Sequence, residues 1–390
     1  DYFPRPAIAL QQVNLIIPDY GEGTIAEISL APAILPLLGG DLFLAHLSLE
    51  KPEFSLNLPA SKSKKSPVNA GQDDGLEAAL VGGFAMLGQV SPDFSLAINA
   101  GQLKINRDQQ VLEAGDLDLN LAVTVTDVRD ASATLRSEAA VLTVRHNGHK
   151  EVLKGIELNG SITIDGDTTG LTLKRLALDE PGLEVSGTIE QSSATPSVTM
   201  ALSGKNIDVD ATRQVALSLG GDVAVVGEIF KYLRGGMVSQ INVRSQGRTA
   251  EELGDLKTIR DEGRLQNGSV SIPEIELDLT ETVGDVLVAD GILQGSGMST
   301  RLEGSNGHDG SVQVGLAEGV NREVRIVLAG LRHRIENLIP HNHRFILKAR
   351  SRLLGPGQGA ILAVERHQFA VAAAEKNVIR ADYGAAAEFL

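Results

Sequence analysis

One spacing of apolar residues, which occurs twice, constrains the fold of this chain more than any other feature. Each copy reads L-x-L-x-x-L-x-L, followed by an acidic residue and a proline, and the second copy lies 129 residues after the first. The first copy consists of Leu42, Leu44, Leu47, Leu49, Glu50, Pro52, Phe54 and Leu56, and the second of Leu171, Leu173, Leu176, Leu178, Asp179, Pro181, Leu183 and Val185. Residues two apart share one face of a strand, so the x-x step changes which alternate positions are apolar and predicts a β-bulge or sharp turn.

Looser versions of this spacing occur over residues 8–18 and 270–278. Recurrence of one such unit over a long chain is typical of an extended, repetitive β structure with one continuous apolar face. Such a face favours binding along a surface over chemistry at a point.

Alternation with a period of two between the copies predicts half-buried antiparallel strands. We expect one apolar surface to be lined by Leu117, Leu119, Leu121, Ile162, Ile164, Leu171 and Leu173. The intervening polar residues should point to the opposite side: Asp116, Asp118, Thr163 and Thr172.

Turn and helix signals punctuate these strands. Asn147-Gly148 and Asp165-Gly166-Asp167 predict hairpin turns, because these residues tolerate positive φ. Short helices are predicted over residues 76–87, over 249–259 after a Thr249–Glu252 capping box, and briefly over 331–338.

The expected organisation has four parts. Residues 1–60 form an N-terminal β segment, 61–75 a flexible polar loop, 76–320 a repetitive β body, and 321–390 a C-terminal segment with a short helix and further strands. The fold class is mainly β, an elongated and strongly curved antiparallel sheet of ~16–20 strands that forms a groove. On the apolar pattern alone, an ordinary sandwich with a closed core remains an alternative.

Composition excludes several classes of function. The net charge of −15 disfavours nucleic acid as a partner, because phosphate contacts require a basic surface. Aromatic residues make up 3% of the chain and Trp is absent, so stacking platforms for bases or glycans are not expected. The absence of Cys excludes disulfides and thiol chemistry.

Candidate sites for metal or phosphate are weak. His341 and His343, with His333 nearby, could meet one ion on a strand, but no acidic or Cys ligand has a matching spacing, so a solvated turn is favoured. The Gly355–Gly359 run departs from the phosphate-binding G-x-G-x-x-G pattern. No nucleophile elbow or P-loop occurs, and we therefore predict a non-enzymatic protein without metal or cofactor.

Three segments resemble the AsmA-like proteins of the Gram-negative cell envelope. They are GGDLFLAHLSLEKPEF at residues 39–54, its echo GLTLKRLALDEP at 170–181, and the pair ADGILQG at 289–295 with GSVQVGL at 310–316. The resemblance covers most of residues 1–320 and implies a repeating β-groove that carries lipid acyl chains.

The resemblance also implies a place and partners for the chain. It implies a periplasmic protein that supports outer-membrane lipid homeostasis, with partners at the inner and outer membranes and phospholipid acyl chains as cargo. Family members usually carry an N-terminal membrane helix, which is not among residues 1–390; we expect tethering to the inner membrane through such a helix. The competing hypothesis is a structural or adhesive β-repeat protein with a closed core and no lipid ligand.

Overall fold

A computed structural model describes residues 7–18, 20–58, 75–107, 110–127, 129–146, 148–220, 224–273, 277–302, 305–316, 324–331, 346–347 and 360–365. Over these ranges the chain forms a single 19-stranded sheet with four short helices. The mainly β fold class, an elongated and strongly curved sheet that forms a groove, is confirmed.

The sheet starts with a segment whose topology differs from the rest. It comprises β1 (Ile8–Ile17), β2 (Gly21–Pro32), helix α1 (Ile34–Gly39), β3 (Leu44–Glu50) and β4 (Glu53–Asn57). Strands β3 and β4 lie end to end, and both pair antiparallel with β2. Helix α2 (Gly75–Val90) then leads into β5 (Asp93–Arg107), which pairs parallel with both β3 and β4. These two pairings are the only parallel ones in the described part of a sheet that is otherwise antiparallel.

From β5 to β17 each strand pairs with the next along the chain. The first run is β6 (Gln110–Asp127), β7 (Asp130–His146), β8 (His149–Asp165), β9 (Thr168–Leu178), β10 (Leu183–Ser192) and β11 (Ser197–Asp208). Two helices interrupt the run, α3 (Val209–Gly220) and α4 (Ala224–Tyr232). The second run is β12 (Leu233–Gly247), β13 (Arg260–Ile272), β14 (Leu277–Ala289), β15 (Ile292–Leu302), β16 (Ser305–Gly315), β17 (Val324–Leu331), β18 (Ile346–Leu347) and β19 (Ala360–Glu365), where β17 pairs with β19 and β19 with β18.

The repeated leucine spacing produces the same bulge in both copies. In the first, Pro32 pairs with Leu44 and Ala31 with His46, which leaves Ala45 as an extra residue. In the second, Gly160 pairs with Leu173 and Asn159 with Arg175, which leaves Lys174 extra at the equivalent position. The predicted β-bulge is therefore confirmed.

The two copies continue differently after the acidic residue. In the first, the chain runs straight on through the buried Pro52 from β3 into β4. In the second, it turns back at the buried Pro181, and Leu178 pairs with Leu183 in the β9–β10 hairpin. Glu53 follows the first proline whereas Gly182 follows the second, and glycine is a common turn residue.

A line of backbone irregularities, which we call the crease, crosses the sheet. On almost every long strand the spacing of inward-facing residues changes once from two to three: Leu10/Val13, Ile25/Ile28, Leu49/Pro52, Ile98/Gly101, Ala114/Leu117, Ala139/Leu142, Leu153/Ile156, Gly204/Ile207, Val238/Ile241, Leu265/Gly268, Leu279/Thr282, Gly295/Met298 and Gly307/Gly310. In most of these pairs, the residue that immediately precedes the second residue of the pair has a positive φ. These residues are Gln12, Lys51, Ala100, Asp116, Gly155, Asn206, Asn267, Glu281, Gly297 and Asp309. Bulges bend a strand and increase its twist. Because they lie on neighbouring strands, they curve the whole sheet into a groove.

The two runs of strands differ in how their concave side is covered. We call β1–β11 the open segment and β12–β16 the closed segment. In the closed segment α3, α4 and the loop before β13 pack on the sheet, and the core consists of Val209, Tyr232, Val238, Leu256, Leu265, Val270, Ile272, Leu277, Leu279, Val288, Met298, Leu302, Val312, Val314 and Leu316. In the open segment a smaller cluster forms where Phe84 of α2 packs on β6, β7 and β8 near one rim, through Val123, Val125, Ala131 and Ile164.

Local predictions had mixed outcomes. The hairpins at Gly148 and Gly166 are confirmed, both glycines having positive φ, and α2 confirms the helix over 76–87. The helix over 249–259 is wrong: only a 3₁₀ turn, Glu251–Gly254, forms before β13. The loop before β13 instead buries the three apolar residues whose spacing resembles that of a helix: Leu253, Leu256 and Ile259.

Other predictions fall partly or wholly outside the described residues. Leu331 ends β17 and is not helical, while the rest of the predicted helix over 331–338 lies outside. So do the three histidines (His333, His341, His343), the Gly355–Gly359 run and residues 61–74 of the predicted polar loop over 61–75, whose last residue, Gly75, begins α2.

Candidate functional site

Two rows of inward-facing residues run across the strands on one side of the crease, in hydrogen-bonding register, and together they define what we call the inner face. The first row is Ile8, Leu30, Leu47, Leu96, Leu121, Leu135, Gly160, Leu173, Gly187, Leu202, Val243, Asp261, Val288, Leu293 and Val314. The second is Leu10, Ile28, Leu49, Ile98, Leu119, Ser137, Leu158, Leu176, Val185, Gly204, Ile241, Gly263, Val286, Gly295 and Val312. Directly opposed residues point to the same side of a sheet, so both rows form one nearly uninterrupted apolar surface.

The inner face is half-exposed over most of the open segment and more deeply buried in the closed segment, although four of its aliphatic residues there are also half-buried: Ile241, Val243, Val286 and Leu293. Leu119, Leu135 and Leu173 are half-buried, and neither of the two core clusters among the described residues includes them. In the closed segment, Val288 and Val314 in the same row are only 3% and 2% exposed. The apolar surface is therefore continuous, but only its first part is open to a guest molecule.

The register places all seven residues named from the sequence on the same side of the sheet as these two rows. Leu117, Leu119 and Leu121 connect through β7 to β8, where Ile162 and Ile164 lie on the same side. Leu171 pairs with Ile162, and Leu173 with Gly160.

These seven residues differ in exposure. Ile164 is 3% exposed because α2 covers it, and Leu117 is buried at the crease. Leu171 is 41% exposed, and Leu119, Leu121, Ile162 and Leu173 are half-buried. Asp116, Asp118 and Thr163 are exposed and Thr172 is half-buried, on the opposite side of their strands.

The opposite surface, the outer face, carries ion pairs both within a strand and between neighbouring strands. Arg136 lies 2.8 Å from Glu138, and Arg264 lies 3.1 Å from Asp285. Side-chain hydrogen bonds from Lys104 and Arg145 hold the pKa of Glu113 below its ordinary value. The sheet is therefore amphipathic, with ionic groups in water on one side and branched aliphatic groups on the other.

One carboxylate breaks the first apolar row. Asp261 on β13 lies between Val243 and Val288 and lines an apolar cavity of about 100 Å³ between α4 and the closed segment. Its Oδ1 atom is buried and has no hydrogen-bond partner. Burial, and secondarily the charge of Glu262, raises the pKa of Asp261 to about 7. Sequence reasoning missed this residue, although an acid in phase with Gly263 and Leu265 on an alternating strand was a visible signal.

The described residues contain no group of three or more His, Cys, Asp or Glu side chains arranged to hold a metal ion. None of the helices described is long and apolar enough to cross a membrane. No family model, curated protein or solved structure matches the chain.

Proposed function

We propose that this protein is a non-enzymatic lipid-binding protein that holds phospholipid acyl chains along the inner face of the open segment. The observation that carries the proposal is the pair of mostly aliphatic rows, in register across consecutive strands and at least half-exposed at most positions from β1 to β11. Large exposed apolar surfaces on a protein usually mark a binding site.

The dimensions suit several acyl chains. Neighbouring strands are ~4.8 Å apart, so the open segment extends ~45 Å across its strands. A bilayer core is about 30 Å thick, so one acyl chain spans roughly 15 Å. Head groups would remain in water at the rim, beside the polar ends of the strands.

The energetics require no specific polar contact. Each buried methylene contributes about 0.8 kcal/mol, so a chain of roughly 16 carbons gains on the order of 10 kcal/mol. Binding of this kind has broad chain selectivity, since aliphatic contacts do not distinguish one chain from another beyond its length.

The resemblance of residues 39–54 and 170–181 to AsmA-like proteins supports a more specific proposal. On that basis the chain would act in the periplasm of a Gram-negative bacterium, tethered to the inner membrane, and would support lipid supply to the outer membrane. The competing proposal, a structural or adhesive protein with a closed core, draws its support from the closed segment, where the inner face is covered by α3 and α4.

Native mass spectrometry of detergent-free protein tests the proposal. We expect wild-type protein to retain phospholipid, and Leu119→Asp to fold but lose it, because the carboxylate would project into the path of the acyl chain. Asn120→Asp adds the same charge on the exposed outer side of the next residue, and this control should retain lipid. Absence of lipid from repeated wild-type preparations, or unfolding of Leu119→Asp alone, would favour the closed-core protein.

A further inference from the structure

The apolar cavity beneath α4 is lined by an acidic residue, Asp261, to which the proposed function gives no role. Ile229 and Tyr232 of α4 form one side, and inner-face residues such as Val286 and Val312 form the other. The cavity continues the apolar rows of the open segment, but it lies inside the closed segment. Its lining is mostly aliphatic, and the exceptions include Tyr232, Asp261 and Arg264.

Asp261 is an exception among the described buried polar side chains of strands β12–β16, although the hydroxyl of Thr212 on α3 is also buried without a hydrogen-bond partner. The hydroxyl groups of Thr282 and Thr300 lie 2.9 Å apart and hydrogen-bond to each other. Ser245 likewise lies 3.1 Å from the hydroxyl of Thr258. Only Asp261, among the described acidic residues, has a side-chain oxygen that is buried and without a hydrogen-bond partner. Such a group destabilises the empty fold, and native proteins concentrate such costs at functional sites.

We propose that the cavity is a binding site for the ammonium group of a single-chain alkylamine, with Asp261 as the group that receives it. An ammonium supplies both the missing hydrogen-bond donor and a compensating positive charge, and its alkyl chain suits the aliphatic wall. The strongly negative net charge of −15 also favours a cationic ligand.

Other amphiphiles fit the cavity less well. The only cation in the described wall is Arg264, and its guanidinium donates to Asp285 on the outer face at 3.1 Å. A phosphate or carboxylate would therefore enter without a positive partner and would face Asp261 directly. This separates the cavity ligand from the phospholipids proposed for the open segment, and the inference does not depend on that proposal.

Calorimetric titration of the full chain at pH 8 with butylammonium and with butanol, whose chains are short enough for a cavity of about 100 Å³, tests the inference. We expect wild-type protein to bind butylammonium about tenfold or more tightly than butanol, the difference that one charge-assisted hydrogen bond provides. Asp261→Asn should abolish this preference. Asp278→Asn, which removes the same charge from the exposed side of β14, should keep it.

A preference that survives in Asp261→Asn, or that is missing from the wild type, would overturn the inference. A second variant guards against a folding defect. Asp261→Leu should melt at a higher temperature than the wild type without ligand, whereas a lower melting temperature would indicate a structural role and contradict the assignment. Phospholipid retention in native mass spectra should be unchanged in Asp261→Asn, so the two proposals can fail separately.

Discussion

From β5 onward, the open and closed segments use the same antiparallel strand plan and differ in what covers it. Both carry inward-facing aliphatic residues in register, and both are bent at the crease. Yet Leu173 in the open segment is half-buried, whereas Val288 in the same row is 3% exposed. The cover comes from α3, α4 and the loop that contains Leu256. Strand alternation therefore determines which face is apolar, and helices inserted between the strands determine whether that face becomes a core or remains a surface.

The sharpest test of this difference introduces one charge into each segment. Leu265→Asp replaces a side chain that is 1% exposed in the closed segment, and we expect it to destabilise the protein by at least ~4 kcal/mol, enough to prevent folding. Leu119→Asp in the open segment should cost about 1–2 kcal/mol, because its carboxylate can reach water. Equilibrium unfolding in urea measures both, and similar losses in the two variants would contradict the division into segments.

The helix α2 provides a local version of the same comparison. Phe84 is 5% exposed and packs on the rim of the open segment, whereas Met86 on the same helix is 73% exposed. Phe84→Ala should cost about 3 kcal/mol by leaving a cavity over Val123 and Ile164. Met86→Ala should change stability by less than ~0.5 kcal/mol, so an equal effect in the two variants would argue that α2 is not packed on the sheet.

The closed segment should also respond to pH through Asp261. Its pKa is raised from 3.8 to about 7, so the folded state retains a proton that the unfolded chain has lost, and the contribution of Asp261 to stability falls as pH rises from about 4 through 7. The charged groups that flank it, Glu262 and Arg264, face the other side of the strand. The stability of Asp261→Asn relative to wild type should increase by roughly 2–3 kcal/mol between pH 5 and pH 8. Asp278→Asn should show no such trend.

The smallest expected effects are on the outer face, where the two segments are equivalent. Arg136→Ala in the open segment removes an exposed pair with Glu138, and Arg264→Ala in the closed segment removes one with Asp285. Exposed pairs contribute ~0–1 kcal/mol. Thermal unfolding should therefore show small and similar shifts, and a large loss for either variant would mean that its outer face is covered.

Much of the sheet was predictable from the sequence because local spacing determines it. The alternation of apolar and polar residues predicted the strands and their apolar side, and the x-x step in the leucine repeat predicted the bulges found at Ala45 and Lys174. The crease had a readable signal as well. Its left-handed positions are rich in the residues that adopt positive φ most readily, such as Asp116, Asn206 and Gly297.

Properties that depend on distant contacts were not predictable. The same motif continues straight at Pro52 but turns at Pro181, and the parallel pairing of β5 depends on the crossover through α2. Helices α3 and α4 were missed, and with them the cover of the closed segment. For Asp261 the inward direction was readable from its phase with Leu265, but its place between Val243 and Val288 follows only from the register.

Photo-crosslinking with a phospholipid that carries a diazirine in its acyl chain, followed by peptide mass spectrometry, tests the central claim most directly. If acyl chains lie along the inner face of the open segment, adducts will fall on inward-facing residues such as Leu119, Leu158 and Leu173, and not on exposed neighbours such as Asp118 and Thr163. Adducts distributed equally between the two faces, or no adducts above the level of a water-soluble diazirine, would contradict the claim.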